Sequence, residues 1–453
     1  MSAELALTRD VVEAFLSRVD DPGHDRPVLD DVLEDMATLG LPAGGVVVLA
    51  LANGAELLSH YFAVLVSGLV PLAVSPATPS ARLAELLRRV GAKALITKRA
   101  HAAVRGVGSA RRIGSAQVIV VDRGPHSDVA PGDVLMLTSG TSGSYSACVH
   151  RVGSLLRNAS RHALSVELHR DDVVLVTLPL HYSYAMVAQV FAALVSGAGL
   201  VVTGPPFAPP SFLSVLKGHL CTSSSITPTM ARSLLVAGDR LPRVLRALTV
   251  GGDQINADHV QSLLALHPQG ELYLTYGLTE AGPRVSTLAA HAEPARRHSS
   301  VGLPMPGVSA SIRDGASEGE LLVESDTVLV CKIGAAQPFV RPGVIATGDV
   351  FWIDDGYLYF RGRKSDFVVV RGEKVSLTTV RQAAAAVPGV LSCTPRVEST
   401  EDGEVHLDLE VVVADGGTDT ARRVRSALAA SLLPAERPRR IVVSVADPMV
   451  FQK

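Results

Sequence analysis

Val46-Val47-Val48-Leu49-Ala50-Leu51 is an unbroken apolar run of strand length, entered through the pair Gly44-Gly45. Such a run suits a parallel strand covered on both faces, because parallel sheets carry their crossover helices on either side. The theme then repeats: a helical stretch from Ala55 to Leu69, a strand from Val70 to Val74, a helix from Ala81 to Val90 and a strand from Ala94 to Thr97. Upstream, Val11 to Leu39 has apolar positions at mixed three- and four-residue spacing and reads as one or two surface helices. Strand and helix alternating at such short intervals predict a doubly wound α/β sheet.

The alternation resumes after a strand at Gln117 to Val121 and a Pro/Gly/Asp-rich connection. It runs through helix Gly153 to Leu164, strand Asp172 to Leu178, helix Ala185 to Leu194, strand Leu200 to Thr203 and helix Ser211 to His219. Strand Leu245 to Val250 then ends at Gly251-Gly252, and helix Ala257 to Leu266 precedes strand Glu271 to Thr275. Beyond Ser300 the texture changes to short β runs with glycines, and past Gly362-Arg363 to a mixture of helices and strands. The expected architecture is α/β: two doubly wound α/β lobes plus a small β-rich subdomain within residues 1–363, followed by a small mobile α+β C-terminal domain over 364–453. The crevice between the lobes, at the strand ends, is the expected ligand site.

Composition narrows the function classes. A net charge of −2 carries no electrostatic footprint for nucleic acid or acidic membranes. Four scattered cysteines without short paired spacing argue against a disulfide framework and a zinc site. The longest apolar run, near Tyr61 to Val74, is broken by Ser67, Gly68 and Pro71, too early to span a bilayer. No secretory signal is visible, so the expectation is a cytoplasmic protein with no nucleic-acid or membrane partner.

Between the two stretches of alternation lies Leu137-Thr138-Ser139-Gly140-Thr141-Ser142-Gly143, directly after the apolar run Val134 to Leu137. It crowds hydroxyls and two glycines into one turn. Glycines permit close backbone approach, and successive N–H groups and hydroxyls make a concavity suited to phosphate oxygens. The spacing is not that of a P-loop, which needs Gly-Lys-Ser/Thr after four intervening residues. Alone, the segment reads equally as a phosphate cradle or a polar surface loop.

Downstream segments change that balance. In order come Tyr276-Gly277-Leu278-Thr279-Glu280, Ser300-Val301-Gly302-Leu303-Pro304, Gly319-Glu320-Leu321, Thr347-Gly348-Asp349 and Gly362-Arg363 followed by Asp366 and Gly372. With Thr138 to Gly143, this ordered set resembles the adenylate-forming superfamily of acyl- and aryl-CoA synthetases, luciferases and peptide-synthetase adenylation domains. The likeness extends from about Gly40 onward.

The resemblance implies roles residue by residue. Thr138, Ser139, Gly140, Thr141, Ser142 and Gly143 would cradle the β- and γ-phosphates of ATP, and Gly252, Asp253, Thr275 and Gly277 would complete the nucleotide site. Tyr276 would stack on adenine, Thr279 contact the α-phosphate, Glu280 ligate Mg²⁺ and Asp349 take the ribose hydroxyls, with Arg363 a nearby donor. Thr279, Glu280 and Lys453 form the implied catalytic set. Each has an ordinary alternative, such as a helix-start acid for Glu280 or a turn residue for Asp349. Their joint occurrence in family order weighs against those alternatives.

The sequence also departs from the family. Where relatives continue the phosphate loop with Pro-Lys-Gly, it reads Ser144-Tyr145-Ser146-Ala147, with Ser146 at the usual lysine position. Losing one preorganised positive group costs roughly 10²–10³ in rate if nothing replaces it. His150, Arg151 and Arg157 are the expected substitutes, unless the loop closes differently. Ser365 stands at the hinge position, where relatives usually carry Asp or Lys. Lys453 comes one residue early and lacks the glycine that usually precedes the C-terminal catalytic lysine; it reads as that lysine or as a solvated chain end.

The implied acid pocket comprises His181, Tyr182, Tyr184, Thr227, Gly251 and Gly277. Leu180-His181-Tyr182-Ser183-Tyr184 lacks the aspartate that binds an α-ammonium group in amino-acid-activating relatives, so α-amino acids are disfavoured. His181 reads as an aromatic-type gate or a packed histidine. The expected function is an ATP-dependent ligase that makes an acyl- or aryl-adenylate, with CoA as co-substrate or a carrier-protein thiol as acceptor. Three alternatives stay open: a diazotase-like enzyme activating nitrite for an aromatic amine, an amide-forming ligase, and a degenerate nucleotide-binding protein without turnover.

Overall fold

The computed structural model describes residues 6–24, 28–99, 108–113, 115–121, 129–138, 146–370, 373–399, 405–414 and 420–446. Two eight-stranded sheets organise the larger part of the chain. The first is ordered Cys331–Ile333, Ser146–Arg151, Asp133–Thr138, Val70–Ala73, Val46–Ala50, Ala94–Thr97, Ala116–Val121, Gly108–Ile113. Its four central strands are mutually parallel and its outer pairings antiparallel. The apolar run that predicts a doubly covered strand is buried throughout as Val46–Ala50. Val47 and Leu49 face one core, while Val46, Val48 and Ala50 face a second with Leu83, Leu86 and Leu87.

The second sheet is ordered Val19–Asp20, Gly199–Val202, Val173–Val176, Ser223–Ile226, Ala247–Gly251, Glu271–Gly277, Arg284–Ala289, Leu303–Pro304, parallel except for its last two pairings. One core joins the sheets. The helix Ala55–Val66 lies in it with ten of its twelve residues buried, as an all-round apolar helix must. Tyr61 and Phe62 meet Phe191 at ring separations of 6.3 and 5.9 Å.

Several elements escape the sequence reading. Ser223–Ile226 is a fully buried central strand with no apolar run to announce it. Thr227 then caps the helix Pro228–Ala237. Ser146 and Ala147, read as the back of the phosphate loop, belong to the strand Ser146–Arg151, pairing with Thr138 and Leu137. The helix read from Ala185 runs from Ser183 to Ser196 with Met186–Phe191 wound as a π-helix.

Beyond these sheets, Val308–Ile312, Glu318–Ser325, Val344–Asp354, Phe339–Arg341 and Tyr357–Arg363 form a five-stranded sheet. After it, Val390–Ser399, Val405–Val413 and Arg440–Val445 make a small sheet covered by helices Leu377–Ala385 and Thr420–Ser431 around their own core. Arg232 Nε donates to the Leu391 carbonyl at 2.7 Å, tying this last layer to the second large sheet. Among the described residues no helix is long and apolar enough to cross a membrane.

Candidate active site

The parallel strands Val173–Val176, Ser223–Ile226, Ala247–Gly251 and Glu271–Gly277 all run out at one edge, and a cavity of about 820 Å³ opens there. Its wall draws Thr138 and Ser146 from the first large sheet, Gly252 and Thr279 from the second, and Asp349 and Ser365 from later elements. Segments more than 200 residues apart thus meet at the strand ends, where open α/β sheets bind ligands. Gly252 adopts φ +90°, a conformation L side chains rarely take, as the chain turns out of its strand.

Thr279–Ala281 is a single 3₁₀ turn pinned from both sides. The His150 ring meets the Thr279 carbonyl through Nε2 at 2.9 Å, and Ser183 shares a hydrogen bond with the Thr279 hydroxyl at 2.9 Å. Glu280 Oε1 accepts from Lys332 Nζ at 2.6 Å. Side chains alternate along a strand. Ala147 and Val149 therefore enter one core, while Cys148 enters the core that contains Ala281. Ser146 and His150 share the Cys148 face, and Lys332 lies in register with Cys148 on the neighbouring strand. Lys332 is thus carried on the same face as Ser146, pointing at Glu280. No sequence motif marks it, because only the pairing of Cys331–Ile333 with Ser146–Arg151 brings it to the cleft.

None of the expected substitutes for the missing lysine, His150, Arg151 and Arg157, is among the residues that line the cavity. His150 is fully buried, and burial lowers its pKa to about 4, so it is neutral near pH 7. Arg151 is paired with Asp133 at 2.7 Å and Arg157 with Asp326 at 3.1 Å. Ser146 itself is buried and shares a 2.6 Å hydrogen bond with the Thr138 hydroxyl. Because Lys332 already holds this face, Ser146→Lys is expected to change pyrophosphate release by less than about threefold. It should also lower Tm, through a second amine forced into a buried site.

Asp349 collects the residues assigned to the nucleoside. It is buried, accepts from the Tyr276 hydroxyl at 2.7 Å and faces Arg363 Nε at 3.3 Å across paired strands. Burial raises its pKa, and Tyr276 and Arg363 pull it back. The Tyr276 ring packs edge-on against Phe351 at 4.8 Å. Asp253 lines the cavity, its carboxylate accepting from the Gln254 N–H, and Thr275 lies buried below it. Ser365 sits exposed in the turn Lys364–Asp366 on the cavity's rim.

Of the implied acid pocket, Tyr182, Tyr184, Thr227 and Gly277 line the cavity and Gly251 is buried behind them. His181 does not line it: its ring tilts against Tyr182 at 4.4 Å, and burial lowers its pKa to about 4. Sequence reading missed Arg284, which lines the cavity while only 2% exposed. Ser139, Gly140, Thr141, Ser142, Gly143, Gly372 and Lys453 lie outside the described residues.

Buried neutral histidines make stability pH-dependent. His150 titrates near 4 and His162, buried beside the Arg284 charge, near 3. The unfolded chain binds these protons near pH 6.5 and the folded one does not, so their contribution is complete above 6.5 and lost as pH falls toward 4 and 3. Each is worth on the order of 3–5 kcal/mol. Thermal melts should show Tm falling steadily from pH 6.5 to 4.5, with His162→Gln flattening the slope. An unchanged slope would refute the assignment.

Comparison with known proteins agrees with this geometry. Residues 35–330 match the family model of AMP-binding enzymes. The chain belongs to the AMP-binding enzyme family. It is 28% identical over 439 residues to an isonitrile lipopeptide synthase of Streptomyces coeruleorubidus, with 90% of this chain matched but only 29% of that one. It is 29% identical to a feruloyl-CoA synthase of Amycolatopsis, covering 76% of this chain and 74% of the relative. The fold matches an o-succinylbenzoate CoA synthetase of Bacillus subtilis, solved with its acyl-adenylate intermediate, at TM-score 0.80 and 19% identity over 95% of this chain and 94% of that one. The α/β architecture is therefore that of the adenylate-forming enzymes.

Proposed function

We propose that this AMP-binding enzyme is an ATP-dependent ligase that activates an organic acid as its adenylate and passes the acyl group to the thiol of CoA or of a carrier protein. One observation carries the reading: Thr279, Glu280, Asp349 and Arg363 converge on a single cavity that Tyr182, Tyr184, Thr227 and Gly277, the residues assigned to the acid, also line. A carboxylate is a poor electrophile, and exchange of its oxygen for AMP supplies a leaving group. In the first step a carboxylate oxygen bonds to the α-phosphorus as the bond to the bridging oxygen breaks, and pyrophosphate leaves with the electron pair.

The chain's own part is positioning and charge. Asp349, oriented by Tyr276, accepts from the ribose hydroxyls, with Arg363 beside it. The Thr279 hydroxyl and Lys332 face the phosphates. Glu280 is the residue that would hold Mg²⁺. Mg²⁺ takes one or two carboxylates and completes its shell from substrate phosphates and water, so a single Glu is an adequate protein ligand. Mg²⁺, when bound, offsets the negative charge of the triphosphate. Residues 364–453 act as a separate unit that turns at Ser365 between adenylation and thioester formation, since a hinge need only absorb backbone change. A carrier-protein partner is in keeping with the lipopeptide synthase relative.

The test is pyrophosphate release with ATP and Mg²⁺ against aryl acids, fatty acids, amino acids and nitrite, each with and without CoA or an aryl amine. Release dependent on an organic acid is the expected result. Release with nitrite alone would replace this reading with the diazotase, and silence throughout would leave a nucleotide-binding protein without turnover.

A further inference from the structure

Arg284 opens the strand Arg284–Ala289 opposite Gly277. Its backbone is fixed by Asn158, which accepts from its N–H and donates to its carbonyl, both at 2.9 Å. The guanidinium lies over the Tyr184 ring at 4.6 Å from the centroid, and one amino group donates to the Thr275 hydroxyl at 3.3 Å. Nε has no hydrogen-bond partner. Among the described residues no carboxylate pairs with this guanidinium. The fold makes room for it at Gly277, where a Cβ would stand 2.1 Å from Nη2.

A guanidinium stays protonated in proteins, and one buried without an anion carries a large uncompensated desolvation cost. The other cations of the cleft have carboxylate partners, Lys332 in Glu280, Arg363 in Asp349 and Lys364 in Glu320. His162 beside Arg284 is neutral and offers no counter-charge. Among the described residues Arg284 is thus the cavity-lining cation without a carboxylate partner, and it lies against Tyr184, Thr275 and Gly277 rather than beside Glu280.

Building on the ligase reading, we infer that Arg284 and Tyr184 form a subsite for a second anionic group on the substrate, so that the preferred acid is a dicarboxylic acid with one carboxylate activated and the other held at Arg284. The unactivated carboxylate pairs with the Arg284 guanidinium where it lines the cavity over the Tyr184 ring. A neutral analogue leaves that charge without an anion, the situation in which polar sites discriminate most strongly.

The experiment compares dicarboxylic acids with their half-amides and with monoacids of equal length, by pyrophosphate release and by thermal shift without ATP. The intact enzyme should favour the diacid by about 10²-fold or more in kcat/KM, and the diacid alone should raise Tm. Arg284→Gln should bring the ratio near one mainly through KM, abolish the diacid thermal shift and raise the Tm of the free protein, while Arg284→Lys keeps part of the preference. Equal turnover of mono- and diacids, or an equal fall for both in Arg284→Gln, would overturn the subsite and leave the ligase standing. If no acid releases pyrophosphate, the ligase reading fails by itself, and the thermal shift still decides: a diacid shift lost in Arg284→Gln supports the subsite, and no shift refutes it.

Discussion

Alanine in place of Lys332 is expected to slow acid-dependent pyrophosphate exchange by about 10²- to 10³-fold, the usual consequence of removing one preorganised charged group from a transition state. The expectation rests on position. The family's phosphate-loop lysine is absent at Ser146, and Lys332 reaches the same face of the same sheet from the next strand, within 2.6 Å of Glu280. Both side chains of the pair are about 15% exposed, enough for water to moderate the loss, so Tm should fall by only a few degrees. Lys332→Arg, which keeps the charge but changes its shape, should recover part of the rate with little change in KM for the acid. A fall of less than fivefold for Lys332→Ala would remove Lys332 from the chemistry and return the question to Lys453, whose own alanine variant then becomes the deciding one.

Lys332 also shows where legibility in the sequence ends. Buried parallel strands announce themselves through continuous apolar runs, and Val46–Ala50 and Ala94–Thr97 stand where those runs place them. Ser223–Ile226 gives no such signal, because its serines are satisfied inside the sheet, Ser224 by the Leu175 carbonyl at 2.9 Å. The residues assigned to the nucleotide could be picked out because they fall in short ordered motifs: Glu280, Asp349 and Arg363 line one cavity, and Tyr276, outside its lining, donates to Asp349. Lys332 and Arg284 could not, since what distinguishes each is a relation between strands distant in sequence. Lys332 matters through the register of a strand that begins at Cys331, and Arg284 through the carboxylate it lacks. A residue's charge can be read from the chain; whether that charge is matched requires the fold.

Asp349→Asn is expected to raise KM for ATP by roughly 10- to 10²-fold, because hydrogen bonds to charged groups are worth about 1.5–3 kcal/mol, with a smaller effect on kcat if the ribose is held alike in ground and transition states. Stability should move the other way. Burial raises the Asp349 pKa above its ordinary value despite Tyr276 and Arg363. A carboxyl group raised in the folded state contributes stability below its unfolded pKa and loses it as pH climbs through the folded value, so at neutral pH the ionised group is a net cost. Removing the charge should leave the Tm of the free protein unchanged or raised while weakening ATP binding. The same raised pKa makes nucleotide affinity of the unaltered enzyme fall on acidification earlier than an ordinary aspartate would, and the asparagine variant should lack that limb. Titration of ATP by calorimetry between pH 7.5 and 5 checks both points; an unchanged ATP affinity in Asp349→Asn would separate Asp349 from the ribose and make its contact with Tyr276 purely structural.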